Sequence, residues 1–93
     1  MTTLRRGSAV ISLAGKDKGT LLVVLCAEGQ AAYVADGRNR LVQSPKRKNL
    51  RHLRDTGAVL EEHSMATNRE IRRALSRLAE ALSSAAPLPP GEP

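Results

Sequence analysis

Two apolar segments and a glycine-bounded turn make up residues 8–27, SAVISLAGKDKGTLLVVLCA. The turn begins at Gly15 and ends at Gly19, and glycine tolerates the positive φ angles that a tight reversal needs. Valine and isoleucine occur in the flanking segments, and both residues favour β-strands. The stretch therefore predicts two strands, residues 8–13 and 20–27, joined by a short basic turn.

The turn places Lys16 and Lys18 on either side of Asp17. Successive backbone N–H groups in such a turn can form an anion-binding concavity, and the two lysines keep the turn net positive. A plain hairpin loop with solvated charges would carry the same residues. The turn alone is therefore compatible with phosphate binding and with a purely connecting role.

Length and charge narrow the class of protein. The 93 residues suit one small domain with a short appendage. Lysine and arginine number 15 against 9 acidic residues, which gives a net charge of +6. Such an excess favours a polyanionic partner, nucleic acid before membrane, although a solvated surface is the simpler alternative.

Further short strands are predicted downstream of residue 30. Their positions are residues 31–35, 41–42 and 50–53, the last of which also suits a helical turn. The Asp36-Gly37 pair predicts a two-residue hairpin turn into residues 41–42. Five short strands spaced this closely predict a small β-barrel, because closure removes the exposed edges of a sheet.

The second strand lacks the alternation of a half-exposed strand, since residues 21–26 are all apolar. A strand of this kind is buried on both faces. One face is expected to fill the barrel interior, and the other needs a cover. Cys26, the only cysteine, is accordingly predicted to be a buried free thiol.

A C-terminal amphipathic helix, predicted over residues 67–82, can supply that cover. Thr67 and Glu70 have the spacing of a capping box. One side of the helix carries an apolar stripe, namely Ile71, Leu75, Leu78 and Leu82, and the opposite side carries Arg69, Arg72, Arg73, Arg77 and Glu80. A helix this short is marginal alone, so we predict that its stripe packs on the second strand; an intermolecular partner is the alternative.

Three segments complete the predicted organisation. Residues 4–60 form the barrel, and residues 58–66 are interpreted as a connector to the helix. Residues 83–93 are rich in proline and are predicted to be disordered.

The densest positive charge lies between residues 38 and 54, which contain seven basic residues and no acidic one: Arg38, Arg40, Lys46, Arg47, Lys48, Arg51 and Arg54. Apolar residues interrupt this block and can anchor it to a core. It therefore predicts a folded surface that contacts phosphates, with a solvated charged face as the alternative.

The sequence contains no constellation typical of catalysis or metal binding. His52, His63 and Cys26 do not have a metal-ligand spacing, and no serine lies in a motif that activates a hydroxyl. We therefore predict neither enzymatic activity nor a metal or cofactor. Tyr33 is the only aromatic residue, so stacking of single-stranded bases has at most one platform.

The strand–turn–strand of residues 7–19, with the apolar run after it, resembles a KOW motif. Together with residues 34–37 and 45–53, it is similar to the short bacterial KOW-domain RNA-binding proteins. These in turn resemble the single-barrel KOW ribosomal proteins of archaeal and eukaryotic large subunits. The resemblance covers residues 4–60, and the helix of residues 67–82 also resembles the bacterial form.

This resemblance implies an SH3-like barrel with the helix packed on it, no catalytic residues, and ribosomal or other structured RNA as the ligand. Matching the motif assigns Gly15, Lys16, Lys18 and Gly19 to the binding loop, and residues 46–48 to a basic segment. The chain differs from the family in its proline-rich tail and in a barrel with a single aromatic residue. KOW domains of transcription-elongation factors also bind proteins, so the resemblance leaves the type of partner open.

Taken with this resemblance, the sequence predicts a non-catalytic, cytoplasmic RNA-binding protein, monomeric when free, and the resemblance implies a link to the ribosome or translation. The longest apolar stretch, residues 21–27, is too short to span a bilayer. The predicted RNA-binding residues are Gly15, Lys16, Lys18, Gly19, Arg38, Arg40, Lys46, Arg47, Lys48, Arg51 and Arg54. Two alternatives remain: a protein-interaction module of the transcription or translation machinery, and a nonspecific DNA-binding architectural protein.

Overall fold

Five β-strands and one C-terminal α-helix make up the computed structural model of the chain, which describes residues 4–85. The strands are β1 (Ser8–Ser12), β2 (Leu21–Glu28), β3 (Ala31–Ala35), β4 (Lys46–Asn49) and β5 (Leu53–Val59), and the helix is α1 (Asn68–Ala85). Short 3-10 turns cover Leu50–His52 and Glu62–Met65. The predicted mainly-β fold with one C-terminal helix is confirmed.

All five strands belong to one antiparallel sheet with the order β4-β3-β2-β1-β5. The two edge strands, β4 and β5, follow each other in the chain and are separated only by the 3-10 turn Leu50–His52. Leu53 of β5 shares a buried cluster with Val34 of β3, although two strands lie between them in the sheet. The sheet therefore curls around its inner face.

Strand β2 is buried on both faces, as its uninterrupted apolar run predicted. Leu22 and Val24 join the inner cluster, whereas Val23 and Leu25 join a second cluster on the opposite face. The inner cluster consists of Val10, Leu22, Val24, Ala32, Val34 and Leu53.

Helix α1 covers the outer face of β2, which confirms the predicted packing. Ile71 and Leu75 lie in one cluster with Val23 and Leu25. Leu78, further along the stripe, is only half-buried. At the helix start the Thr67 hydroxyl accepts a hydrogen bond from the Glu70 backbone N–H at 3.1 Å, so Thr67 is the N-cap.

The predicted burial of Cys26 is wrong, since this thiol is exposed. The register of β2 against β3 shifts between Val24 and Cys26, as it does where a bulge inserts an extra residue. From Cys26 to Glu28 the strand continues past both apolar clusters, and all three residues are exposed. The apolar composition of residues 21–27 therefore overstated how far the core extends.

The predicted two-residue hairpin at Asp36-Gly37 is also wrong. The Asp36 Oδ1 atom accepts hydrogen bonds from three consecutive backbone N–H groups, those of Arg38, Asn39 and Arg40, at 2.9, 3.0 and 2.9 Å. This stabilises a wider loop, and strand β4 begins only at Lys46. The aspartate side chain competes with strand pairing for these donors.

The segment between β5 and α1 contributes to the core. Met65, at the end of its 3-10 turn, is only 2% exposed and joins the cluster under α1. The Glu62 carboxylate accepts hydrogen bonds from Arg6 at 2.7 and 3.1 Å, and this pairing lowers the pKa of Glu62. The predicted connector is therefore an ordered part of the fold.

Helix α1 continues through Ala85, three residues beyond its predicted end at residue 82. The rest of the predicted proline-rich tail, residues 86–93, lies outside the described residues.

Candidate nucleic-acid interface

The turn of residues 15–19 is closed by its own backbone. Gly15 and Gly19 adopt φ angles of 80° and 86°, as the tight reversal requires. Within the turn, the N–H groups of Lys18 and Thr20 donate to the carbonyls of Gly15 and Asp17 at 3.2 and 2.8 Å. The N–H of Gly19 donates to the carbonyl of Ser12, at the end of β1, at 2.7 Å. Since these three donors are used internally, the attraction of the turn for an anion depends mainly on the lysine side chains.

Asp17 is turned into the protein and is only 8% exposed. Its Oδ2 atom lies 3.1 Å from an Arg40 guanidinium nitrogen and 3.7 Å from the Lys48 Nζ. Two cations on one carboxylate leave this cluster net positive. Lys16 and Lys18 are exposed on either side of it.

Lys48 is an internal anchor for the turn. Its Nζ atom donates to the Ser12 hydroxyl and to the Ala14 carbonyl, both at 3.0 Å, and its side chain is 9% exposed. Lys48 pairs with Ala32 of β3, whose side chain belongs to the inner cluster. Residues paired across strands share a face of the sheet, so the lysine is directed inward beneath the turn.

The structure thus divides the predicted basic block. Lys48 and Arg40 are engaged with Asp17, so their charges are less available to a phosphate than those of the exposed cations around them. Six other predicted residues are basic and lie on or beside the turn, on β4, or in the segment after it; they are Lys16, Lys18, Lys46, Arg47, Arg51 and Arg54, and all are exposed. We call these six residues the turn-edge surface.

Two connections hold the parts of the turn-edge surface together. Lys48 joins the turn to β4, as described above. The backbone N–H of Leu13 donates to the His52 carbonyl at 2.8 Å, which joins the start of the turn to the segment that carries Arg51 and Arg54. The cations of three chain segments are therefore supported by contacts that precede any ligand.

A groove of about 490 Å³ opens beside this surface. Its apolar lining is Leu4, Leu13, Leu50 and Leu53, and its polar lining is Arg51, Arg54 and Asp55. Leu13 is 46% exposed beside this groove. The groove has an apolar floor and a charged rim.

Arg38 is not part of the turn-edge surface. It lines a second groove, of about 430 Å³, together with residues of α1, namely Arg69, Arg72, Arg73, Ser76 and Arg77. The helix arginines were predicted to lie opposite the apolar stripe, but not to form part of a site. Their recurrence every three or four residues is the signal that they share a helix face.

No family model matches the chain, and no curated protein matches it either. Within residues 4–85, no helix is long and apolar enough to cross a membrane. In the same range, no group of three or more histidine, cysteine, aspartate or glutamate side chains is arranged to hold a metal ion.

Proposed function

We propose that the chain is a small SH3-like barrel that binds nucleic acid, and that its ligand is structured RNA. The barrel is supported by the edge strands β4 and β5, which are consecutive in the chain and separated by a three-residue turn. It is supported as well by the inner cluster, to which β1, β2, β3 and β5 contribute. Together with the KOW resemblance of residues 7–19, these features favour a KOW-type RNA-binding protein.

The observation that carries this proposal is the neutralisation of Asp17. The only acid of the turn is paired internally with Arg40 and Lys48, so it does not compete for the exposed lysines beside it. Affinity for nucleic acid comes largely from lysine and arginine side chains that neutralise phosphates. The six exposed cations of the turn-edge surface are therefore its contacts with the RNA backbone.

In this proposal the protein is non-catalytic and cytoplasmic, acts with the ribosome or elsewhere in translation, and is monomeric when free. The apolar floor of the 490 Å³ groove, with Leu13 exposed beside it, favours a second candidate, a module that binds another protein of the transcription or translation machinery. High salt separates the two. Binding to nucleic acid collapses as salt rises, whereas an apolar protein interface persists.

Removing two cations of the turn-edge surface is expected to weaken RNA binding strongly. Each phosphate contact contributes a slope of about 0.7–0.9 in log affinity against log salt, which at 0.1 M salt corresponds to a factor of about 5–8. The double variant Lys46→Gln/Arg47→Gln should therefore bind an RNA hairpin about 25- to 60-fold more weakly, with a shallower slope. Fluorescence anisotropy across a salt series measures both quantities.

The matched control is Arg5→Glu, which lowers the net charge by the same two units. Arg5 is exposed and is not one of the six residues of the turn-edge surface, although its neighbour Leu4 lines the groove beside that surface. It should change hairpin affinity little. If the double variant and the parent bind the hairpin equally well, the turn-edge surface is not the RNA site. Equal affinity for a DNA duplex of the same length would favour the architectural DNA-binding alternative.

An RNA hairpin is expected to bind more tightly than oligo-uridine of equal length at the same salt. Each base stacked on an aromatic side chain contributes about 1–3 kcal/mol, and Tyr33, the only aromatic residue of the chain, is half-buried on β3. Competition between the two labelled RNAs measures the preference. A stronger affinity for oligo-uridine than for the hairpin would contradict backbone recognition. So would a large loss of RNA affinity in a Tyr33→Leu variant that remains folded.

A further inference from the structure

Five arginines line the groove between α1 and the loop after β3. They are Arg38 from the loop and Arg69, Arg72, Arg73 and Arg77 from the helix, and Ser76 completes the lining. The helix also carries Glu70 and Glu80, but neither is among these six residues. We call this site the arginine groove.

The arginine groove is held in shape by the protein itself. Arg72 donates from Nη1 to the Gly37 carbonyl at 2.8 Å. The loop lies so close to the helix that a Cβ atom on Gly37 would overlap the Asn68 carbonyl oxygen. The Asp36 carboxylate fixes the backbone of Arg38. The loop is thus packed on the helix, and the position of Arg38 opposite the helix arginines does not depend on a ligand.

Clustered arginines repel one another when nothing neutralises them. Arg69 and Arg73 are four residues apart on α1, as are Arg73 and Arg77, and like charges at this spacing destabilise a helix. A bound anion would remove this repulsion. Guanidinium groups present paired N–H donors that match phosphate oxygens, and serine can add a hydroxyl donor.

We propose that the arginine groove is a second site for RNA backbone phosphates, so that the protein holds two segments of one folded RNA. This inference rests on the proposed function, because it takes RNA as the ligand. The loop that follows β3 separates the two sites. Its Arg38 lines the arginine groove, whereas its Arg40 pairs with Asp17 beneath the turn. In this proposal each site holds its own segment of the RNA backbone.

The test uses the full chain, with transfer RNA as a multi-helix probe and a short hairpin as a single-helix probe. The variant is Arg73→Gln/Arg77→Gln, which leaves the Arg72 contact with Gly37 in place, and Arg5→Glu is the control of equal charge change. Transfer RNA affinity at 0.1 M salt should fall about 25- to 60-fold, with a salt slope shallower by about 1.4–1.8. The short hairpin, which we expect to be bound mainly by the turn-edge surface, should lose less.

Two further measurements make the result specific. The variant should melt close to the parent temperature, since Arg73 and Arg77 are both exposed on α1, and this measurement separates a loss of binding from a loss of folding. Combining it with Lys46→Gln/Arg47→Gln should reduce the salt slope by the sum of the two single effects, as expected for separated sites.

The possible failures are distinguishable. If Arg73→Gln/Arg77→Gln binds transfer RNA like the parent while Lys46→Gln/Arg47→Gln is impaired, the groove proposal is overturned and the proposed function stands. If the parent binds neither RNA, both are overturned. If labelled polyglutamate binds the parent but not the Arg73→Gln/Arg77→Gln variant, while both bind transfer RNA equally well, the groove recognises carboxylates and not the RNA backbone.

Discussion

Replacing Leu75 with alanine is expected to lower the free energy of unfolding by about 2–5 kcal/mol. Leu75 is 6% exposed and packs with Ile71, Met65 and the outer residues of β2. Its truncation leaves a cavity at the contact between helix and sheet. A small domain has only about 5–15 kcal/mol of stability in total, so this single change should lower the melting temperature markedly.

Leu78→Ala is the matched control, because it is the same substitution three residues further along the same helix. Leu78 is only half-buried, so its loss should cost clearly less. Thermal and urea unfolding followed by circular dichroism compare the two variants. If Leu75→Ala melts like the parent and instead abolishes a dimer seen by light scattering, the helix is an interaction surface rather than a cover for the sheet.

Asp17→Asn is expected to cost about 3 kcal/mol of stability. The substitution keeps the shape of the side chain but leaves the Lys48 ammonium, which is 9% exposed, without its counter-charge. Breaking a buried ion pair from one side costs about 3–5 kcal/mol. We expect the lower end of that range, because Arg40, with 28% of its side chain exposed, can turn toward water.

A double-mutant cycle tests the origin of this cost. Adding Lys48→Met removes the stranded cation, so Asp17→Asn/Lys48→Met should be less destabilised than the sum of the two single variants. Asp55→Asn, on the exposed part of β5, is the control and should change unfolding little. Additive single effects would show that Asp17 does not act through Lys48.

Much of the sheet could be read from local patterns. The strand over Ala31–Ala35 has its predicted bounds, and β1 and β2 lie within a residue of theirs. The glycines of the turn adopt positive φ angles, and Thr67 caps the helix. These features depend on neighbours in the chain, through the period of the apolar residues, glycine conformation and capping distances.

The loop after β3 is a local feature that pattern reading missed. Asp36-Gly37 matches a hairpin signal, but the Asp36 carboxylate binds three following N–H groups. Gly37 is needed because the start of α1 lies against it. This contact is made by Asn68, more than thirty positions further along the chain, so a pattern read over neighbouring residues cannot include it.

By itself the sequence determined a basic, strand-rich domain with a glycine-bounded turn and a C-terminal helix that covers β2. Only the tertiary structure decided what each charge does. Lys46 and Lys48 are two residues apart, yet one is exposed and the other lies beneath the turn against Asp17. Arg38 and Arg40 likewise separate between the arginine groove and Asp17. The sequence gives the number of charged residues. Whether a cation pairs with a carboxylate or is exposed to solvent depends on contacts between residues that are distant in the chain.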